Sequence, residues 1–311
     1  MRGKVITVIV LIAILGFLVG ALYRGLPQEP VDFVVDEIPV ETSRIIEYGA
    51  TPVFSENLRF NHNDISYYVD PDCPADSRAR MEAAMEIFAD KIAIVSFYET
   101  LSGEPDIDIN CSMSEIKLGE NYYAAGEGGP VEIINTSLFK TIRKGMVTLY
   151  KKIECDYPIV ELHELLHVFG FDHSPNPKSI MYNTSACDQR MTSDIILLMQ
   201  KLYSIKPRPD LRISDIKATK HGGYLDFNIT VLNEGLIDAH DVSFTLIADG
   251  KEVDEIEMGE IGIGFGRTLK AANIKLPSRS VDEIELVVDF DDLIDEVNED
   301  NNRVRLSVGD S

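Results

Sequence analysis

His163-Glu164-Leu165-Leu166-His167-Val168-Phe169-Gly170-Phe171-Asp172-His173 holds three of the six histidines of the chain in eleven residues. On a helix His163 and His167 are i and i+4, so both imidazoles leave one face and can share a metal ion. Glu164 projects at a different angle beside the first of them, where it can hold a metal-bound water without ligating. Gly170 can take a positive φ and end the helix, letting the chain double back so that His173 supplies a third nitrogen. Three neutral imidazoles with an open fourth position describe a catalytic zinc site, whereas a structural site is closed by a fourth protein ligand. The competing reading is a buried helix with incidental histidines. A bare HExxH arises by chance in roughly one protein in a hundred, and the added glycine and third histidine make coincidence much rarer.

Around this stretch the chain has room for one to three domains, with 311 residues of which 45% are hydrophobic. A net charge of −23 excludes a nucleic-acid partner, because a phosphate backbone would be repelled. The acid is unevenly spread: residues 207–311 carry 23 Asp and Glu against 11 Lys and Arg, which suggests a separate C-terminal unit with a strongly solvated surface.

At the other end, residues 5–23 run without a charge, long enough to span a bilayer and longer than a usual signal-peptide apolar region. Residues 1–24 are therefore expected to be an uncleaved signal anchor or transmembrane helix. Secretion after signal-peptide cleavage is the alternative. Arg2 and Lys4 precede the span and acids follow it, so the N-terminus is expected in the cytoplasm and the rest outside the cell membrane. Residues 25–55, rich in Pro, Glu, Asp and Val without a clear period, read as a stalk. A short pro-segment competes, but no cysteine is present there to plug a zinc site. Four cysteines fit an oxidising compartment and allow three pairings. Order along the chain favours Cys73–Cys111 and Cys155–Cys187, the second clamping the ends of the histidine segment. Four reduced cysteines are the alternative.

The globular part begins near Glu56. Ile65 to Asp70 is β-prone, and Asp76-Ser77 opens a helix with Met81, Ala84, Met85, Phe88, Ile92 and Val95 as its apolar stripe. Asp106 to Asn110 alternates as a strand, whose acids suggest either calcium or a solvated face. Gly126 to Pro130 reads as a turn, and 131–134 and 146–150 as strands. The histidine helix starts about Ile159 behind Pro158, and Thr192-Ser193-Asp194 caps a last helix. Lys206-Pro207-Arg208-Pro209 is a stiff linker. Beyond it the period becomes two, and seven short strands over 207–311 indicate a β-sandwich of immunoglobulin-like type.

The zinc stretch resembles the metzincin metalloproteases, whose signature HExxHxxGxxH with a Met-turn is matched by His163, Glu164, His167, Gly170, His173 and Met181. Ser174 and the run Ser179-Ile180-Met181-Tyr182 look like the matrixin branch, and the similarity extends from Leu58 to Tyr203. The resemblance implies an α+β domain over 56–206, a mixed sheet plus three helices. It implies one zinc ion on the three histidines, Glu164 as general base and Met181 as a floor beneath the metal. It also implies an edge at Val131, Glu132, Ile133 and Ile134 for an extended peptide, and a pocket lined by Tyr182 and Asn183 for the side chain after the scissile bond. The matrixin cysteine switch is absent. His62 is the only other histidine in the domain, so the family's second, structural zinc site is not visible.

The C-terminal unit resembles CARDB, a cell-adhesion-related β-sandwich, through Pro209-Asp210-Leu211, Asn233-Glu234-Gly235 and Glu296 to Asn302. Its acids Asp289, Asp291, Asp292, Asp295 and Glu296 read either as a calcium site or as a charged loop. A surface protein or polysaccharide is the partner such a domain implies. Together these features lead to the expectation of a membrane-anchored extracellular zinc endopeptidase acting on peptides or proteins. The rival is a cell-surface adhesion or scaffold protein whose zinc domain is vestigial.

Overall fold

The structure, a computed structural model, describes residues 12–19, 30–35, 49–101, 104–112, 114, 116, 117, 119, 123–150, 153–281 and 283–308. Of the apolar run over 5–23 only 12–19 are described, as a helix (α1) with exposed side chains. Among the described residues no helix is long and apolar enough to cross a membrane. The rest of the expected anchor, with its orienting charges, and residues 25–29 and 36–48 of the expected stalk lie outside the described residues.

What is described of the stalk is structured. β1 (Val31–Val35) pairs with two strands of the C-terminal sandwich, and its Phe33 and Val35 pack on the sandwich core. Residues 49–55 lie along the first domain. Thr51 donates to Asp194 from its N–H (2.8 Å) and its hydroxyl (2.7 Å), and Phe54 N–H donates to the Gly170 carbonyl (2.8 Å). Side-chain and main-chain partners far along the chain thus order a segment with no periodic signal of its own.

The first domain contains β2 (Leu58–Phe60), β3 (Asp64–Val69), α2 (Ala75–Ile92), β4 (Ser96–Glu99), β5 (Ile107–Cys111), β6 (Gly126–Asn135), β7 (Lys140–Leu149), α3 (Ile159–Val168) and α4 (Ser193–Ser204). The sheet runs β2-β7-β5-β3-β4 in parallel, with β6 antiparallel on β7, so the expected mixed sheet and three helices are present. The stripe of α2 is buried as its spacing predicts, and α3 packs on α2, β6 and β7. Phe169, just past α3, stacks on Phe88 with centroids 4.6 Å apart. Arg59 is buried and donates to the carbonyls of Leu202 (2.5 Å) and Ile205 (2.9 Å), satisfying the C-terminal end of α4. Both disulfides favoured by chain order are formed, Cys73–Cys111 and Cys155–Cys187.

One local expectation is corrected. Residues 126–130 do not make a turn; they are the first half of β6, which pairs with β7 from Gly126 to Asn135 with a bulge at Val131. Gly126 and Gly128 reflect close approach of the backbone to α3, not a change of chain direction.

The second domain holds the expected seven strands: β8 (Leu211–His221), β9 (Tyr224–Asn233), β10 (Ala239–Ala248), β11 (Lys251–Ile261), β12 (Gly266–Lys275), β13 (Glu283–Val288) and β14 (Arg303–Val308). β1 inserts between β14 and β8 as an eighth. The residues that suggested CARDB tie the ends of these strands together. Asp210 accepts from Asn298 N–H (3.0 Å) and Asn301 Nδ2 (3.1 Å), and Glu296 accepts from Leu211 N–H and Asn302 Nδ2 (3.1 Å). Burial raises Asp210 to about 6 and Glu296 to about 8. Asp289 holds the N–H groups of Leu293 and Ile294, and Asp295 pairs with Lys206 and Arg208. These acids serve loop closure and linker pairing, which favours the charged-loop reading over calcium.

Candidate metal centre

α3 is buried along its whole length, so its histidines stand in a low-dielectric setting that its apolar neighbours Leu162, Leu165 and Leu166 create. Arg80 of α2 fixes the first turn. It bonds both oxygens of Glu161 (2.8 and 3.2 Å) and the carbonyls of Cys155 (2.8 Å) and Tyr157 (3.3 Å).

His163 Nδ1 lies 2.6 Å from the Ile180 carbonyl and His167 Nδ1 lies 2.7 Å from the Phe171 carbonyl. A carbonyl can only accept, so each ring carries its proton on Nδ1 and turns the Nε2 lone pair inward. Those two Nε2 atoms are 3.0 Å apart. Gly170, at φ 95°, reverses the chain, and a Cβ there would lie 2.6 Å from Leu58 Cδ2. The reversal brings in His173, and one ligand atom from each of the three rings lies within 4.8 Å of the others. Burial lowers His163 to about 4 and also lowers His167, keeping both imidazoles in the neutral form a metal needs. Donor type, tautomer and an exposed third ring all suit a tetrahedral zinc ion with one open position. Among the described residues no other set of His, Cys, Asp or Glu converges in this way.

Glu164 is buried beside this cluster. Its carboxyl is raised to about 8, first by burial and then by the charges of Glu127 and Glu161. β6 covers it from above. A Cβ on Gly126 would sit 2.7 Å from Glu164 Cγ, and one on Gly128 would sit 2.1 Å from the Glu164 carbonyl oxygen. Sequence reasoning missed these two glycines. The repeated glycine ahead of an apolar run was the available signal.

The other expected residues are spread around the site. Met181 is fully buried, and its carbonyl accepts from Ser174 N–H (2.8 Å), which ties the turn to the third-histidine loop. Tyr182 and Asn183 follow it, half-buried and exposed. Val131 is the β6 bulge, and Glu132, Ile133 and Ile134 follow it, past the part of the strand that meets Glu164. Phe54, from the expected stalk, stacks on His167 with centroids 5.8 Å apart. His62 bonds Asp106 (3.2 Å), and Asp108 pairs with Lys144 (2.8 Å), so these acids are engaged within the protein.

A search of curated proteins found no match. Among solved structures, similar chains include the CARDB domain of a Pyrococcus furiosus protein in solution, at 18% identity and TM-score 0.28, covering 33% of this chain and 95% of that one. A crystal structure of that domain in complex with di-metal ions is similar at 18% identity and TM-score 0.27, covering 32% and 88%. The family models match residues 59–204 as matrixin and residues 208–305 as CARDB. The chain therefore carries a matrixin domain, of a metallopeptidase family, followed by a CARDB domain.

Proposed function

We propose that the protein is a zinc-dependent endopeptidase, anchored in the cell membrane by residues 1–24, with its N-terminus cytoplasmic and both domains outside. The observation that carries the reading is the convergence of three histidines next to a buried carboxylate. The uncharged run over 5–23 and two disulfides support the location.

His163, His167 and His173 would hold a zinc ion, which would supply Lewis acidity toward the scissile carbonyl and lower the pKa of the attacking water. Glu164 takes the proton of the attacking water and delivers it to the leaving amine, with no covalent intermediate. Burial by β6 keeps bulk water from that carboxylate. Met181, buried in the turn tied to Ser174, is assigned as the floor of the site, and Tyr182 and Asn183 as the lining of the pocket for the residue after the scissile bond.

Glu164→Gln tests the mechanism. The variant is expected to keep one zinc per chain by elemental analysis while hydrolysis of casein and quenched peptides falls at least ~10²-fold. A variant that cuts at the wild-type rate would remove Glu164 from the chemistry. Wild-type protein that binds zinc and cuts nothing would favour the adhesion reading instead.

A further inference from the structure

β6 has two different ends. Its first residues lie on Glu164, and its last lead into a turn held by the sandwich. Thr136 Oγ1 donates to the Glu234 carbonyl (2.9 Å), and Ser137 Oγ donates to the Glu234 carboxylate (2.5 Å). Arg212 holds that carboxylate from its own side (2.7 and 3.1 Å). Gly264, at φ 72°, comes so near that a Cβ there would lie 2.4 Å from Ile134 Cγ2. The two domains thus form one continuous surface along β6. Its ten residues cover ~30 Å, the reach of an extended peptide of similar length.

Along that surface exposed apolar side chains stand among the polar Glu127, Glu132 and Asn135. Phe54, stacked on His167, is 49% exposed, Val131 is 52% and Ile133 is 39% exposed. Ile133 pairs with Ile142, so it stands on the core face of the sheet. Phe265, next to the Gly264 contact, is 69% exposed. Main-chain pairing along the open edge is interrupted midway, because Pro130 has no N–H and Val131 is bulged. Beyond that point side-chain contact is what the surface offers.

We propose that the substrate cleft continues from the histidines onto the CARDB domain, and that its far half binds an apolar, extended stretch of the same polypeptide. The inference rests on the peptidase reading above. The scissile bond lies at the histidines, main-chain pairing uses Gly126 to Gly129, and residues farther along rest on Ile133 and Phe265. The sandwich is then part of the substrate site, and it selects unfolded or extended chains over short peptides.

The test uses the full chain and a six-residue quenched peptide, lengthened on either side by six residues alternating Leu and Thr. Lengthening on one side alone is expected to lower KM roughly tenfold. Phe265→Ala and Ile133→Ser should each reduce that gain, and together abolish it, while Phe265→Ala alone keeps kcat/KM for the short peptide within about twofold of wild type. Equal KM values for short and long peptides, or a gain that survives both substitutions, overturns the proposal. Absence of any hydrolysis would sink the peptidase reading instead. Fluorescence anisotropy with the labelled long peptide then decides: tighter binding than the short peptide, lost in the double variant, supports the shared cleft, and equal binding refutes it.

Discussion

Gly128→Ala is the sharpest perturbation the structure offers. The added Cβ would lie 2.1 Å from the Glu164 carbonyl oxygen, 2.7 Å from its carbon and 2.9 Å from its Cα. All three are backbone atoms of a helix buried along its length, so no rotamer change relieves the clash. A normal contact is more than 3 Å, so β6 and α3 must separate by ~1 Å. Such overpacking costs about 1–3 kcal/mol. For a domain of this size that lowers Tm by roughly 2–4 °C per kcal/mol. A shift of ~1 Å in Glu164, the proposed base, is large for catalysis, on the order of 10²-fold in kcat. Two neighbours separate the causes. Gly126→Ala meets the Glu164 side chain at 2.7 Å and 2.9 Å, so it should lower kcat with a smaller loss of Tm. Gly129→Ala meets nothing within 4 Å and should keep both values. The assay is kcat on a quenched peptide, alongside zinc content and thermal unfolding. A Gly128→Ala protein with wild-type kcat and Tm would show that the strand does not press on the helix as described.

Two further outcomes follow from buried charge. Arg80→Ala leaves Glu161, with a side chain only 6% exposed, without its partner, and should cost about 3–5 kcal/mol in urea unfolding. Replacing the pair by Met and Leu should recover most of that loss; an Arg80→Ala change below ~1 kcal/mol would contradict the burial argument. Burial raises Glu296 from 4.5 to about 8, so the folded sandwich keeps a proton that the unfolded chain releases between those values. Stability from this group is full below about 4.5 and is lost as pH rises through 8, by up to about 5 kcal/mol. Urea midpoints of the sandwich transition from pH 4.5 to 9 should therefore slope downward in wild type and flatten in Glu296→Gln. Parallel slopes in the two proteins would reject the assignment.

The residue chemistry of the site was legible without coordinates because it rests on short-range spacing. Helical period puts His163 and His167 on one face, and a glycine permits the reversal that adds His173. Alternation at period two equally exposed the sandwich, and chain order sufficed for both disulfides. Features built on long-range approach were not legible. Gly126 to Gly129 read as a turn because glycine is ambiguous locally; only the packing of β6 on Glu164 assigns those positions their purpose. Val31 to Val35 and Thr51 to Phe54 lacked a period of their own and are ordered by strands and side chains more than a hundred residues away. The sequence by itself thus determined the histidine cluster with its neighbouring carboxylate and the order of matrixin and CARDB domains, which depend on local geometry and composition. The tertiary structure alone decided which strand covers the base and where the two domains meet, because contacts across the chain set those distances and no periodicity encodes them.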